Sequence, residues 1–293
     1  MKGEFTLEEI IKIPERLNMD IESYNYLSEL QDKVLNSTAD RIILDFCECK
    51  YTDASFTAFI GALNELSTHR NKKIIFRTAR DSKVQEYFKR SGLYNYIVND
   101  ENKYINENAI PFSHVTLDDD IIIEYIDKIL ELAPIQLSSD CNNLLFRNIY
   151  EIFNNSIDHS DSICGVYSCG HWMPYRKELV FSIYDTGIGI AQIVKNNINP
   201  LFSSEEAIKW ALIRGNSTKQ LDGGTPRGLG LSDLLNFIKL NNGSLRIMSN
   251  DIYYKYNRSE NYSVISKPII GTLISITIIA DNEHTYVVKK KEE

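Results

Sequence analysis

A carboxylate and an amide stand one helical turn apart in the segment LFRNIYEIFNNSIDHS, residues 145–160. Apolar side chains, among them Leu145 and Ile149, recur at helical spacing and predict one buried face, which leaves Glu151 and Asn155 on the opposite face. A carboxylate can act as a general base, and an amide oxygen is a suitable ligand for a hard metal ion. An amphipathic helix with a solvated polar face shows the same pattern, so this segment alone does not decide its role.

A strand-like run ends at the sequence Asp185-Thr-Gly-Ile-Gly-Ile190. The carboxylate of Asp185 can accept a hydrogen bond from the exocyclic amine of a ligand. Gly187 and Gly189 would let the backbone approach that ligand closely, because glycine has no side chain. Ordinary turns also contain aspartate and glycine, and taken alone the motif is more often a turn than a binding site.

A second glycine pair occurs where a long polar loop, residues 214–226, is followed by a predicted helix. Gly228, Leu229 and Gly230 would present backbone N–H groups at the helix start, and such groups bind anions. Arg227 is a candidate further ligand for a phosphate. The polar composition of the preceding loop is typical of a mobile lid. A flexible turn that caps an ordinary helix would have the same sequence.

A fourth segment, Gly271-Thr272, opens the last predicted strand, although threonine is common in strands and carries little information alone. Taken in this order, the four segments resemble the N box and the three glycine boxes of the GHKL ATP-binding fold. That fold occurs in type II topoisomerases, a heat-shock chaperone family, histidine kinases and mismatch-repair ATPases. The resemblance extends from about residue 140 to residue 281.

The resemblance implies that the chain binds ATP together with Mg²⁺. Asp185 would bind the adenine amino group and Thr272 would help to hold the adenine, while Asn155 would bind Mg²⁺. Glu151 stands where the ATPase branches have their general base, although a structural role for this carboxylate stays open. The full set of binding residues implied by the resemblance is Asn155, Asp185, Gly187, Gly189, Arg227, Gly228, Leu229, Gly230 and Thr272.

Predicted strands alternate with predicted helices in the N-terminal part, and this alternation indicates a parallel sheet. The run IILDFCECKYTDASFTAFIGAL, residues 42–63, resembles the core of STAS domains, the fold of anti-sigma-factor antagonists. Ala54 occupies the position that is phosphorylated in that family, and Phe56 replaces its glycine. Ser55 is the nearest hydroxyl, and we interpret it as a helix cap. The resemblance implies an interaction module rather than a catalyst.

The predicted fold class is therefore α/β, with two domains and a tail. Residues 1–110 would form a STAS-like interaction or regulatory domain, and a polar, asparagine-rich stretch at 98–111 would connect it to the next domain. Residues 111–282 would form a GHKL, or Bergerat, α/β sandwich with one mixed sheet and helices on one face. The carboxylates at 118–120 would cap the first helix of that domain. Residues 283–293 would form the tail.

Composition limits the classes of partner. The net charge of −8 and the absence of a basic stripe argue against nucleic-acid binding. The chain has no apolar run of transmembrane length and no signal-peptide pattern, and its five cysteines are scattered and odd in number, as in a protein with reduced thiols. We therefore expect a cytoplasmic protein without a membrane partner, which acts on an unidentified protein or on a second copy of itself.

Three functions are compatible with these patterns. The first is an ATPase, or an ATP-driven conformational switch, coupled to the STAS-like segment. Its turnover is expected to be weak, because topoisomerase and mismatch-repair branches supply a catalytic lysine from a following domain and none is expected here. The second is an anti-sigma-type serine/threonine protein kinase. The third is a nucleotide-dependent interaction module that does not hydrolyse ATP.

Overall fold

The N-terminal part of the chain forms a three-stranded parallel sheet with four helices among its described residues. The computed structural model describes residues 7–80, 82–98, 107–115, 118–158, 162, 164–216, 230–281 and 283–288. The first elements are β1 (Glu8–Lys12), α1 (Ile21–Asn36), β2 (Arg41–Asp45), α2 (Ala54–Thr68), β3 (Lys73–Arg77), α3 (Lys83–Arg90) and α4 (Leu93–Val98). Strand β2 lies between β1 and β3 and is parallel to both, which confirms the predicted parallel pairing.

Aspartate side chains begin the two long helices of this part. Asp20 accepts a hydrogen bond from the backbone N–H of Ser23 at the start of α1. Asp53 accepts from the backbone N–H groups of Ser55, at 2.8 Å, and Phe56, at 3.3 Å, at the start of α2. The prediction that Ser55 caps this helix was therefore wrong. The carboxylate of Asp53 satisfies the free N–H groups of the first turn, and Ser55 lies inside the helix.

The second part of the chain is built on a five-stranded sheet. Its elements are β4 (Ala109–Val115), α5 (Asp119–Glu131), β5 (Gln136–Leu137), α6 (Ser139–Asp158), β6 (Val166–Met173), β7 (Glu178–Asp185), α7 (Ile190–Asn197), α8 (Ser204–Ala211), α9 (Gly230–Asn241), β8 (Ser244–Asn257), β9 (Ser259–Ile279) and β10 (Thr285–Tyr286). The large sheet has the order β4-β6-β7-β9-β8, while β5 and β10 form a small parallel pair.

All four strand pairings of the large sheet are antiparallel, so the prediction of a mixed sheet was wrong. Two of these pairings, β6 with β7 and β8 with β9, are hairpins joined by short turns, and hairpin neighbours must run in opposite directions. The hairpin of β8 and β9 is long, with 14 residues in β8 and 21 residues in β9. It turns at Arg258, whose φ is +64°.

Helices cover both faces of this sheet. Those of the second part lie on one face, as predicted, and those of the N-terminal part lie on the other. On one face, α5, α6, α7, α8 and α9 share a buried cluster with residues such as Phe181 and Ile276. On the other face, α1 packs against β9, and α2 packs against β6 and β7. Tyr184 of β7 and Phe59 of α2 stack there at 5.3 Å between ring centroids. Because both of its faces are covered, β7 is buried at every position from Leu179 to Asp185.

Four hydroxyl groups meet between the N-terminal helices and the large sheet. The Oγ atoms of Ser55 and Ser275 lie 2.7 Å apart, and the hydroxyl of Ser182 lies 3.1 Å from each of them. The hydroxyl of Tyr24 in α1 donates to Ser275 at 2.9 Å. The two predicted domains therefore share a buried polar contact as well as one apolar cluster.

The predicted connection at residues 98–111 lies largely outside the described residues. Its end, from Ala109, belongs to β4 and pairs with β6 at the edge of the large sheet. The predicted cap of the next helix is confirmed, because Asp118 accepts from the backbone N–H groups of Asp120 and Ile121. Within the described ranges, none of the helices combines the length and the apolar character that crossing a membrane requires.

Candidate functional site

Helix α6 presents its polar residues as the sequence predicts. Leu145, Ile149 and Phe153 are buried in the core, whereas Glu151 is half-buried and Asn155 is exposed. The helix carries a further buried polar residue that the sequence did not single out. Asn148 is 2% exposed, and its Nδ2 has no hydrogen-bond partner among the described residues.

The carboxylate of Glu151 lies against the first residue of α9. A Cβ atom placed on Gly230 would lie 2.8 Å from Glu151 Cδ and 2.9 Å from Oε2, so only glycine leaves room for this contact. The first turn of a helix carries free N–H groups and the positive end of the helix dipole, which favours a carboxylate. The predicted base and Gly230 are therefore neighbours in space.

Three predicted phosphate ligands, Arg227, Gly228 and Leu229, lie outside the described residues, as does the predicted lid from residue 217 onward. They stay predictions. The start of the loop is described, and there the guanidinium of Arg214 lies 3.0 Å from the carboxylate of Asp233 in α9.

Asp185 is the last residue of β7, and its side chain is buried, with 5% of the residue exposed. Its Oδ1 accepts a hydrogen bond from the backbone N–H of Gly187 at 2.9 Å, so the carboxylate stabilises the turn that follows β7. Burial raises the pKa of this carboxyl to about 7, although hydrogen bonds from the backbone of Gly187 and Thr272 act in the opposite direction. A buried carboxyl with a pKa near neutrality is typical of functional sites.

Thr272 stands directly opposite Asp185 in the pairing of β9 with β7. Its hydroxyl accepts a hydrogen bond from the backbone N–H of Ile190 at 3.1 Å and lies 3.1 Å from Ser249 Oγ. The residue before it, Gly271, has a φ of +88°, and a Cβ atom there would lie 1.8 Å from Asp185 O. Glycine is thus required where the two strands approach, and Thr272 joins Asp185 to the start of α7.

Gly189 leaves room for a neighbouring side chain, and its predicted contact with a ligand stays a prediction. Its φ is +86°, and a Cβ atom would lie 2.5 Å from Asn250 Oδ1. Asn250 Nδ2 donates to the carbonyl of Ile188 at 2.8 Å, and its Oδ1 accepts from the backbone N–H of Gln192 at 3.1 Å. Asn250 therefore holds the glycine-containing segment in place. Sequence reasoning missed this residue, and its one local signal is an asparagine inside a strand, where the left-handed φ of +55° favours it.

The segment that follows α6 is tied to the end of β7. Ser162 Oγ lies 2.7 Å from Thr186 Oγ1 and donates to the carbonyl of Gly165 at 2.8 Å. Thr186 directly follows Asp185, so these contacts tie Ser162 to the end of β7. Asp185 and Thr272 are paired at that end of the large sheet.

The described residues contain no group of three or more His, Cys, Asp or Glu side chains that could hold a metal ion. The predicted Mg²⁺ site does not require such a group, because its predicted protein ligand, Asn155, is an amide. No protein-family model matches the sequence, and no match was found among curated proteins.

Proposed function

We propose that this chain binds Mg²⁺-ATP as GHKL proteins do, and that it is an ATPase or an ATP-driven conformational switch coupled to its STAS-like N-terminal part. The observation that carries the proposal is the pairing of a buried carboxyl, Asp185, with Thr272 at the sheet end to which the segment after α6 is tied. The partner that reads the switch is an unidentified protein or a second copy of the chain.

The donor set fits an adenine nucleotide. Asp185 supplies a carboxylate that can accept a hydrogen bond from the adenine amine, and Thr272 supplies a hydroxyl beside it. The low exposure of Asp185 makes such a hydrogen bond stronger than it would be in water. The ionised carboxylate is the better acceptor, so its pKa of about 7 makes adenine binding favourable above neutral pH.

Two polar residues of α6 fit the phosphate end of the nucleotide. Asn155 is exposed and offers an amide oxygen of the kind that magnesium prefers. When bound, ATP supplies the phosphoryl group for hydrolysis. Glu151 would orient a water molecule and accept its proton, which is the task of a general base. Its contact with Gly230 equally supports a structural role at the start of α9, so the two roles require an experiment.

A Glu151→Gln variant separates the two roles, because it keeps the shape of the side chain but removes the basic carboxylate. We expect normal binding of a non-hydrolysable ATP analogue and phosphate release slowed by at least about 100-fold. Glu22→Gln, in the first turn of α1 on the other side of the sheet, is the control and should behave like the wild type. Unchanged phosphate release by Glu151→Gln would exclude Glu151 as the base.

A protein kinase is the alternative function. Phosphorylation of its own Ser55 has less support, because that residue is 2% exposed and its hydroxyl contacts Ser275 and Ser182 inside the protein. A separate substrate protein would still be compatible with the site. Mass spectrometry after incubation with ATP tests self-phosphorylation, and an unmodified chain would argue against it.

A further inference from the structure

Helix α1 bonds to the backbone of β9 through polar side chains spaced three residues apart. Asn25 Oδ1 accepts from the N–H of Ser266 at 3.0 Å, and Ser28 Oγ accepts from the N–H of Lys267 at 3.3 Å. Gln31 continues this row toward the candidate site. The spacing places all three side chains on one face of the helix.

The strand needs these partners because its pairing with β8 is interrupted. Ile252 pairs with Val264 and Asn250 with Ile269, so β9 has four residues, 265–268, opposite a single residue of β8. The pairing then resumes between Ser249 and Thr272, which leaves residues 270 and 271 without a partner in β8. Side chains of α1 thus bond to backbone N–H groups that a regular ladder would otherwise satisfy.

Gln31 makes the contact that lies nearest to the candidate site. Its Oε1 accepts from the N–H of Ile270 at 2.7 Å, and its Nε2 donates to the hydroxyl of Tyr184 at 2.8 Å. The hydroxyl of Tyr184 donates in turn to the carbonyl of Ile270 at 2.6 Å. The amide of Gln31, the phenol of Tyr184 and the peptide groups of Ile270 therefore form a closed hydrogen-bonded ring. Gln31 is 1% exposed, so water does not compete for these bonds.

Each strand residue in this ring directly precedes part of the candidate site. Tyr184 precedes Asp185, and Ile270 precedes Gly271 and Thr272. The backbones have little freedom here, since Gly271 approaches Asp185 too closely for any Cβ atom. A displacement of Ile270 is therefore transmitted to Thr272 and to the hydrogen bonds on the Asp185 carboxyl.

We propose that Gln31 is a positioning residue for the nucleotide site: from α1, its amide fixes Tyr184 and Ile270 and thereby aligns Asp185 with Thr272. The coupling between the N-terminal part and nucleotide binding passes through this side chain. The inference rests on the proposed function for the identity of the ligand, whereas the alignment of the two strand ends is independent of it. Because coupling is reciprocal, nucleotide binding also stabilises the contact of α1 with β9.

The test compares Gln31→Leu with Ser28→Ala, which removes a buried hydroxyl from the same row farther from the site. Hydrogen exchange without nucleotide should be at least about tenfold faster at the amides of Gly187 and Thr272 in Gln31→Leu. Those two amides should be unchanged in Ser28→Ala. Calorimetry with a non-hydrolysable ATP analogue should give a Kd about tenfold higher for Gln31→Leu, equivalent to about 1.4 kcal/mol.

Tyr184→Phe provides a second variant in case Gln31→Leu does not fold. It removes the phenol from the same ring, keeps the stacking on Phe59, and should accelerate exchange at the same two amides. Unchanged exchange at Gly187 and Thr272, or equal nucleotide affinity for wild type and Gln31→Leu, would overturn the role of Gln31 without affecting the proposed function. If the wild type binds no nucleotide but exchange at Gly187 and Thr272 is faster in Gln31→Leu, the proposed function would be overturned and the alignment role of Gln31 would stand.

Discussion

The pH dependence of stability should change when Asp185 is replaced by asparagine. In the folded protein, burial raises the pKa of this carboxyl from 3.8 to about 7. Between these two values the folded state binds a proton that the unfolded state has released. The free energy of unfolding therefore falls as the pH rises, and this contribution is lost in Asp185→Asn because the amide does not titrate.

The expected size of the effect follows from the shift in pKa. One unit of pKa corresponds to 1.36 kcal/mol, so the full shift from 3.8 to about 7 corresponds to about 4 kcal/mol. About 2.5 kcal/mol of this falls between pH 5 and pH 8, where both states can be studied without acid denaturation. Solvent screening reduces this energy little, since Asp185 is 5% exposed.

Other buried groups titrate in the same range, so the variant must be compared with the wild type at each pH. Asp53, whose pKa is raised by burial to about 6, gives a contribution of the same sign. Burial lowers the pKa of His171 to about 4, so its contribution to stability rises with pH up to its ordinary value of 6.5. Both contributions remain in Asp185→Asn and cancel when the two proteins are subtracted.

Urea denaturation of both proteins at pH 5, 6, 7 and 8 measures the difference directly. The free energy of unfolding of Asp185→Asn minus that of the wild type should increase by about 2.5 kcal/mol from pH 5 to pH 8. A constant difference across this range would show that the carboxyl keeps an ordinary pKa. The reasoning about burial at the end of β7 would then be wrong.

Two further predictions concern the backbone of the site. Gly271→Ala should lower the free energy of unfolding by about 3 kcal/mol, because its Cβ would lie 1.8 Å from Asp185 O, whereas Gly215→Ala should cost about 1 kcal/mol. Gly215 is the matched control in the same urea assay, since its φ is also positive and nothing lies within 4 Å of its Cβ position. Asn250→Ala should cost about 2 kcal/mol and accelerate hydrogen exchange at Gln192, whose N–H loses its acceptor; unchanged exchange would contradict the holding role of Asn250.

The sequence predicted the local elements well, because hydrophobic periodicity reports directly on which face of an element is buried. The buried stripe of Leu145 and Ile149 on α6 and the alternation of strands with helices in the N-terminal part are confirmed. Strand direction was predicted correctly for the N-terminal sheet but not for the large one, since the same alternation fits parallel and antiparallel neighbours. The sequence suggested a mixed sheet, whereas all four pairings of the large sheet are antiparallel.

Long-range contacts explain most of what the sequence missed. Gln31 and Ile270 are 239 positions apart, and nothing near Gln31 distinguishes it from a solvated helix face. Asp185 and Thr272 could be selected because each lies in a motif that resembles a known site. Asn250 belongs to no such motif, and its contact with Gly189 joins segments that are far apart in the sequence. The roles of Arg227, Gly228 and Leu229 stay predictions.

A calorimetric titration with a non-hydrolysable ATP analogue and Mg²⁺ at pH 8 tests the central proposal most directly. The wild type should bind, and Asp185→Asn should lose binding because the amide lacks the charged acceptor for the adenine amine. Asp53→Asn should keep binding, since that buried carboxyl caps the start of α2 in the N-terminal part. No binding by the wild type, or equal binding by wild type and Asp185→Asn, would contradict the proposed nucleotide site.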